Sequence, residues 1–562
     1  MMQKVVLILA GILFAVNLRA VETIKVSELK PGMKGYGLSV FQGVKPERFE
    51  VELIDILPRA LPDTDLILVK CSGAGLEKSR VIAGMSGSPV YFDGKLAGAI
   101  AYTWPFAIDP IAGVTPIESM LSSLQSPAKA SVSASLSKAE KSDSLLGFQP
   151  VGNSIMVSGL APSLYDEAMA ILESFNLGPV LTGGGKSEGM DSEVKLESGG
   201  AIGVNLVTGD IDISAVGTAT LVEGNTVLAF GHPFFNGGVV SLPLSAAKVH
   251  TVLSSQGLSF KIASSGPEVG ALKLDSINGI SGRLGEKARM IPVKITVKNQ
   301  ATNITRDFSY QIADHPVLSP KLTQLCLYES LASGGAISDK AMVDLDMELK
   351  LEGYPEPIRY KDMFVLQGSS FSNDYLAPVF IFSQNPYQKI QISEMAFHLS
   401  VREGWDIAEI KSIWANKTEV NPGDTVLIGV RLRKFQGDEF EKVIEFRVPE
   451  DAKQMVLLKF MGGEQMPIDI AQPESVEDLI RAFKMIPDVK WLVVQYVKPV
   501  PAMDYEGMRL KNLPPSAQAM LAGRVDTKAK RAPDFEYYTF ETPYYIRGRA
   551  MLALRVISNT GR

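Results

Sequence analysis

Cysteine and histidine are scarce in this chain of 562 residues. The only cysteines, Cys71 and Cys326, are far apart in sequence. A disulfide between them would require an oxidising compartment, and two buried thiols are the simpler expectation. The histidines show none of the short spacings that are typical of a metal site, so we predict no metal. There are four of them: His232, His250, His315 and His398.

Strong charge of either sign is also missing. The chain has 62 acidic and 56 basic residues, which gives a net charge of −6 with both signs interspersed. No basic stripe is present, which argues against a nucleic-acid partner. Long helical patterns are few, whereas the 49 glycines and 33 prolines are plentiful, and together these features favour a β-rich protein. A chain of this length predicts three to four domains.

The sequence has one long apolar run, from Val5 to Val16, directly after Lys4. Twelve residues are too few to span a bilayer comfortably but fit the core of a signal peptide. We therefore predict that residues 1–20 are a signal peptide cleaved after Ala20 and that the mature protein is periplasmic or secreted. The alternative is an uncleaved anchor, which would be the only membrane contact that the sequence predicts.

The clearest chemical signal is the segment Gly84–Pro89, which reads GMSGSP. It lies between apolar residues and a predicted hairpin, whose turn is Asp93-Gly94. A serine between glycines on a tight turn is a candidate nucleophile, which identifies Ser86. The glycines would let the N–H groups of Gly84 and Ser86 point to one spot and form an oxyanion hole. Ser88 is a weaker candidate nucleophile.

A serine needs a base to accept its proton, and histidine is the usual one because its pKa lies near neutrality. His232 follows a predicted strand that ends at Phe230, and it stands between Gly231 and Pro233. We predict that His232 is the general base. The other three histidines lack a comparable glycine setting and are expected to be structural. The glycine-rich segment 183–187 lacks the full phosphate-loop pattern, so we predict no cofactor.

The two segments resemble those of chymotrypsin-like serine peptidases, and more narrowly the SpoIVB peptidase family. In that family GMSGSP carries the nucleophile, and a Gly-His segment like residues 229–232 here holds the base. The match continues through residues 93–96 and 98–99. The resemblance implies a double β-barrel and a serine endopeptidase that acts on a protein or peptide. Here the serine precedes the histidine, so the order of the barrel halves is permuted relative to the family.

The acidic member of a catalytic triad is less well marked. In the SpoIVB family an aspartate stands upstream of the nucleophile, where this chain reads Cys71-Ser72-Gly73. Asp275 is a candidate because it follows His232 by 43 residues, and about 45 residues separate base and acid in chymotrypsin. Asp210 and Asp212 are further candidates. A Ser–His pair without an acid, with Asp275 only capping a turn, remains open.

The predicted fold is mainly β, with a chymotrypsin-like double β-barrel in permuted order, a further β domain and an immunoglobulin-like sandwich. An inert envelope binding or scaffold protein on the same fold is the alternative function, and the sequence leaves the oligomeric state open. The predicted segments after the signal peptide are a barrel half with the nucleophile (21–125), a linker with a small helical insert (126–195), a barrel half with the histidine (196–300), a β-rich domain (301–405), and the sandwich with a short helix (406–562).

Overall fold

The computed structural model describes residues 21–104, 106–125, 147–152, 154–175, 182–183, 195–335, 341–366, 374–466, 473–498, 501–505, 508–523 and 529–557. The predicted signal peptide, most of the predicted linker and most of the glycine-rich segment lie outside these residues. Strands make up 53% and helices 15% of the structure, which confirms the mainly β class. Among the helices of the described ranges, none is long and apolar enough to cross a membrane.

The chain divides into two compact units. The first comprises residues 1–156, 174–204 and 214–288, and it contains both the GMSGSP segment and His232. The second comprises residues 157–173, 205–213 and 289–562.

The first six strands of the first unit form a closed ring in the order β1–β2–β3–β6–β5–β4, with β4 pairing back to β1. Buried and exposed residues alternate along much of β2, which is typical of a strand with one face on a core. The helix α1, Leu76–Ser79, precedes the GMSGSP segment, and α2, Ile117–Gln125, follows the ring. The strands are β1 Lys34–Ser39, β2 Glu47–Leu61, β3 Thr64–Ser72, β4 Pro89–Phe92, β5 Lys95–Thr103 and β6 Ile111–Pro116.

Six later strands form a second closed ring in the order β10–β13–β14–β15–β12–β11, with β11 pairing back to β10. Three short strands and one helix come before it: β7 Gln149–Pro150, β8 Ser154–Ser158, α3 Tyr165–Glu173 and β9 Thr182–Gly183. The strands of the ring are β10 Ala201–Gly209, β11 Asp212–Glu223, β12 Thr226–Ala229, β13 Gly238–Leu253, β14 Phe260–Ser276 and β15 Gly279–Leu284.

Two turns that the sequence predicts are confirmed at their expected positions. Asp93 and Gly94 join β4 to β5 with φ angles of 51° and 76°. Two left-handed residues in succession match the right-handed twist of a tight hairpin. Gly224-Asn225 joins β11 to β12. Local turn chemistry therefore fixes the register of one hairpin in each ring.

The second unit contains a sheet in the order β19–β18–β20–β16–β17, with α4 packed against β16 and β17. The sequence predicts only strands here, and the 16-residue helix α4 is a correction. Nearly all of α4 is buried, so it has no polar face to reveal its period. The elements are β16 Met290–Asn299, β17 Ile304–Ala313, α4 Leu318–Ser333, β18 Ala341–Leu351, β19 Ile358–Val365, α5 Ala377–Ser383 and β20 Ile392–Glu403.

The C-terminal region forms two sheets, in the orders β24–β23–β21–β31 and β22–β32–β25–β26–β30, whose buried residues share one apolar core. A three-stranded sheet, β28–β27–β29, accompanies them. The elements are β21 Ile407–Ala415, β22 Glu419–Val420, β23 Thr425–Lys434, β24 Glu439–Arg447, β25 Met455–Gly462, α6 Val476–Lys484, β26 Trp491–Val497, β27 Ala502–Tyr505, β28 Met508–Leu510, α7 Pro515–Ala522, β29 Lys530–Ala532, β30 Phe535–Glu541, β31 Tyr545–Arg547 and β32 Arg549–Val556.

Candidate active site

Ser86 lies in a turn, Gly84–Ser88, that we call the nucleophile turn. It connects α1 to β4, and its two glycines have φ angles of +94° and +93°. Such angles are easily adopted only by glycine, so the sequence explains the sharp reversal. The Ser86 side chain is fully buried within the first unit.

The backbone of the nucleophile turn is held by a complete set of hydrogen bonds to its carbonyl oxygens. The carbonyl of Ser86 accepts from the backbone N–H of Thr218 at 2.8 Å, and that of Ser88 accepts from Ile100 at 2.9 Å. The carbonyls of Gly84 and Gly87 accept from the hydroxyls of Thr218 and Thr220, at 2.9 Å and 2.8 Å. The turn is therefore fixed between β5 of the first ring and β11 of the second.

Ser86 Oγ lies beside Gly217, a residue of β11. A Cβ atom at position 217 would be 3.1 Å from Ser86 Oγ and 2.4 Å from the ring of Phe230. A side chain here would collide with the Phe230 ring and press against Ser86 Oγ, so glycine lets both groups approach this strand together. Ser86 Oγ and the Phe230 ring are consequently close neighbours.

His232 follows β12 in a loop, Gly231–Gly237, that we call the histidine loop. His232 is 2% exposed, and the centroid of its ring lies 6.1 Å from that of the Phe230 ring. Nδ1 is 2.8 Å from the carbonyl oxygen of Pro233, and Nε2 is 3.0 Å from that of Val151. Burial lowers the pKa of His232, while the two carbonyl contacts oppose that shift. The ring thus contacts carbonyl oxygens and does not hydrogen-bond to Ser86.

The nucleophile turn and the histidine loop meet at one short segment, Val151-Gly152. The Val151 carbonyl contacts the His232 ring, and the Gly152 carbonyl accepts the Gly84 N–H at 3.2 Å. This last bond corrects the predicted oxyanion hole, because the Gly84 N–H is already engaged in this conformation. Val151 itself donates its N–H to Ala101 of β5. A single short segment therefore contacts both the nucleophile turn and the His232 ring.

Asp275 does not orient His232, which corrects the predicted triad. Its buried carboxylate accepts the backbone N–H groups of Phe234, Phe235 and Gly237 at 2.7, 2.8 and 2.9 Å. Burial raises the pKa of Asp275 to about 6, although these hydrogen bonds favour the charged form. Asp275 therefore caps the histidine loop, the turn-capping role that the sequence left open.

The remaining candidates have contacts of their own. The Asp210 carboxylate accepts the backbone N–H of Ser309 at 2.5 Å, within the second unit. His250 pairs with Ser264 Oγ at 2.7 Å. His315 accepts backbone N–H groups at the start of α4, and burial lowers its pKa to about 4. Cys71 is a buried, free thiol whose pKa is raised to about 12 by burial.

Sequence reasoning missed Lys261, which is fully buried in β14 next to the nucleophile turn. Its Nζ donates to Ser39 Oγ at 2.9 Å and lies 3.5 Å from Thr218 Oγ1. Ser39 Oγ also accepts from the Ser88 hydroxyl at 3.0 Å. We call these four residues the Lys261 cluster. Burial lowers the pKa of Lys261 to about 7.

A weak signal for Lys261 is present in the sequence. At the start of β14, Lys261 and Ala263 are buried, as is Ser259 just before the strand, while Phe260 and Ile262 are half-buried. A lysine that alternates with small residues, between two large apolar ones, departs from the usual pattern of an exposed polar face. The hydroxyl partners come from β1, β11 and the nucleophile turn, which are distant in sequence, so the cluster itself could not be foreseen.

No family model, curated protein or solved structure matches this chain. In the part of the chain that the structure describes, no group of three or more metal-ligating side chains comes together.

Proposed function

We propose that this chain is an exported serine endopeptidase with Ser86 as nucleophile and His232 as general base. The observation that carries the proposal is the meeting of the nucleophile turn and the histidine loop at Val151-Gly152. Two turns that are remote in sequence, each framed by glycine, are brought into one neighbourhood within the first unit.

The protonation state of the His232 ring supports its role as the general base. Because burial lowers its pKa, the neutral imidazole dominates at neutral pH, and this is the form that accepts a proton from serine. A neutral imidazole carries one N–H, so it cannot donate to both Pro233 and Val151. One ring nitrogen then faces a carbonyl oxygen without a proton between them. That repulsion favours a ring rotation, which the reaction requires because Nε2 must leave Val151 to reach Ser86.

The proposed enzyme works without an acidic third residue. Asp275 has no bond to the His232 ring, and it stabilises the loop that carries the ring. In the reaction, His232 takes the proton of Ser86 as Oγ attacks the peptide carbonyl, and it returns the proton to the leaving amine. Hydrolysis of the acyl-enzyme by water then restores Ser86.

The test is cleavage of an unfolded protein such as reduced casein by the purified mature chain. Wild type should release peptides, while Ser86→Ala and His232→Gln should each reduce the rate by about 100-fold or more. The matched control is His250→Gln. His250 lies in β13 of the second closed ring of strands, outside the proposed catalytic residues. Equal rates for wild type, Ser86→Ala and His232→Gln would contradict the proposal.

A non-catalytic envelope binding protein is the second candidate, and the burial of the two residues favours it. Ser86 is fully buried and His232 is 2% exposed, so a substrate reaches them only if the surrounding segments move. A binding protein would keep its fold and partner when Ser86 is replaced by alanine, and it would cleave nothing. The casein assay separates the two candidates.

A further inference from the structure

We propose that Ser88, Ser39 and Lys261 form a serine–serine–lysine chain in which Lys261 is the proton acceptor, making Ser88 a second nucleophile on the nucleophile turn. The inference rests on the proposed function, in that it assumes acyl-transfer chemistry at this turn. The reactants it fits are carbonyl, sulfonyl and phosphonyl electrophiles.

The geometry supplies an unbroken path for a proton. Ser88 Oγ donates to Ser39 Oγ at 3.0 Å, and Ser39 Oγ is 2.9 Å from Lys261 Nζ. When the amine is neutral, the same contact can form with the Ser39 hydroxyl donating to the nitrogen lone pair. Lys261 then donates to Thr218 Oγ1 at 3.5 Å, and Thr218 donates to the carbonyl of Gly84 at 2.9 Å. Every hydroxyl proton in the cluster thus has an acceptor.

The surroundings of Lys261 favour that neutral amine. It is 0% exposed, and its neighbours are hydroxyls from β1 and β11, the nucleophile turn, and the ring of Phe41 at 6.0 Å. No charged group of the described residues faces Nζ, and none forms an ion pair with it. An ammonium without a counter-charge is costly to bury, so a lysine in such a place gives up its proton readily. The lowered pKa of Lys261 agrees with this.

Lys261 is also held in place against the turn that it would serve. Its backbone N–H donates to the carbonyl of Ala83 at 3.1 Å, and Ala83 donates to Ser259 at 2.8 Å. A Cβ atom on Gly84 would lie 3.0 Å from Lys261 Cδ, so the lysine stem packs directly on the turn. The amine is thereby positioned by both its backbone and its side chain.

The step balances without an added reagent. Ser88 Oγ forms a bond to the electrophilic atom as its proton passes to Ser39, whose own proton passes to Lys261 Nζ. With a sulfonyl fluoride the sulfur–fluorine bond breaks and fluoride leaves. With a peptide, the amine leaving group takes the proton back from Lys261.

The experiment uses phenylmethanesulfonyl fluoride, a small electrophile, on full-length Ser86→Ala protein, with the modified residue identified by peptide mass spectrometry. We expect a sulfonyl adduct on Ser88 that forms faster as the pH rises and levels off above about 7. Adding Lys261→Met or Ser39→Ala should lower the rate by about 100-fold or more, the usual range for loss of a general base. The matched control is Lys248→Met, because Lys248 is an exposed lysine in β13 of the same closed ring of strands. This substitution should leave the labelling rate unchanged.

Three results would overturn the inference: no adduct on Ser88, equal rates for the Lys261→Met and Lys248→Met proteins, or a rate independent of pH. If Lys261→Met fails to fold by circular dichroism, Ser39→Ala and the pH profile decide the matter. The proposed function fails separately. If wild type carries an adduct on Ser86 that depends on His232, and none on Ser88, only the serine–serine–lysine proposal is refuted. If wild type carries an adduct on Ser88 and none on Ser86, only the assignment of Ser86 and His232 is refuted.

Discussion

The two sides of the nucleophile turn differ in the groups that surround their buried base. On one side, the ring of His232 contacts the carbonyl oxygens of Val151 and Pro233, which can accept hydrogen bonds but cannot donate them. On the other, Lys261 contacts the hydroxyls of Ser39 and Thr218, which do both. Carbonyls can only accept a hydrogen bond from a base, whereas hydroxyls can also pass a proton to it, so the same burial has different chemical consequences.

The largest effect is expected from a substitution that disturbs the nucleophile turn, which carries both proposed nucleophiles. A Cβ atom on Gly87 would lie 1.9 Å from the backbone oxygen of Thr218, where nothing can yield cheaply. We expect Gly87→Ala to lower the free energy of unfolding by about 4 kcal/mol, from overpacking and the left-handed backbone together. Denaturant titration measures this.

Gly94→Ala is the matched control, because Gly94 also has a positive φ but nothing within 4 Å of its Cβ position. It should cost only about 1 kcal/mol. Equal losses for the two variants would show that the seating of the turn against β11 contributes little.

Replacing Asp275 should destabilise the histidine loop without touching the Lys261 cluster. Asp275→Ala leaves three backbone N–H groups of the histidine loop without their acceptor. We expect a loss of about 3 kcal/mol in the free energy of unfolding, because unpaired buried donors are costly. The measurement is again denaturant unfolding, with Asp109→Ala as control, because Asp109 is exposed and, among the described residues, makes only an exposed ion pair with Lys70. A loss below about 1 kcal/mol would contradict the capping role.

The pH dependence of the free energy of unfolding tests whether buried Lys261 is neutral. Burial lowers the pKa of Lys261 from its ordinary value of 10.5 to about 7, so the unfolded chain binds more protons than the folded chain between these two pH values. Stability should therefore rise with pH across this window, by at most about 1.4 kcal/mol per unit.

Replacing the amine tests that slope. In Lys261→Met this pH-dependent contribution disappears, so the unfolding free energy of wild type minus that of the variant should increase as the pH rises from about 7 to about 10. Lys248→Met should run parallel to wild type. A difference that stays constant over the window would mean that Lys261 is charged in the folded protein.

The smallest expected effect belongs to His232. Its pKa is lowered from 6.5 by burial, so the unfolded chain binds the extra proton first as the pH falls below 6.5. Wild type should lose stability there, and His232→Gln should lack that part of the loss, within about 1 kcal/mol per pH unit. Thermal melts at a series of pH values measure it, with His250→Gln as control, and parallel curves for wild type and His232→Gln would contradict it.

The sequence predicts the parts of the fold that depend on neighbouring residues. Asp93-Gly94 identifies a hairpin because two left-handed residues in succession need these side chains. The helix α6 begins after Ser475, whose hydroxyl accepts the N–H of Asp478, so local capping reveals it. The helix α4 escapes prediction because burial on all sides leaves no periodic contrast.

In the candidate site, too, the sequence predicts the local turns but not the contacts between distant residues. The glycines around Ser86 and His232 predict two tight turns, and both exist. The partners of those side chains come from elsewhere: Val151 for His232, Thr218 for the nucleophile turn. A spacing of 43 residues between His232 and Asp275 gives the right neighbourhood but the wrong partner, since spacing cannot say which way a carboxylate points.

Covalent labelling shows whether the nucleophile turn carries a reactive serine. Full-length wild type is incubated with a fluorophosphonate and weighed intact by mass spectrometry. We expect a stoichiometric adduct on wild type that is lost in the double variant Ser86→Ala/Ser88→Ala. An unmodified wild type, or an adduct that persists in the double variant, would contradict it.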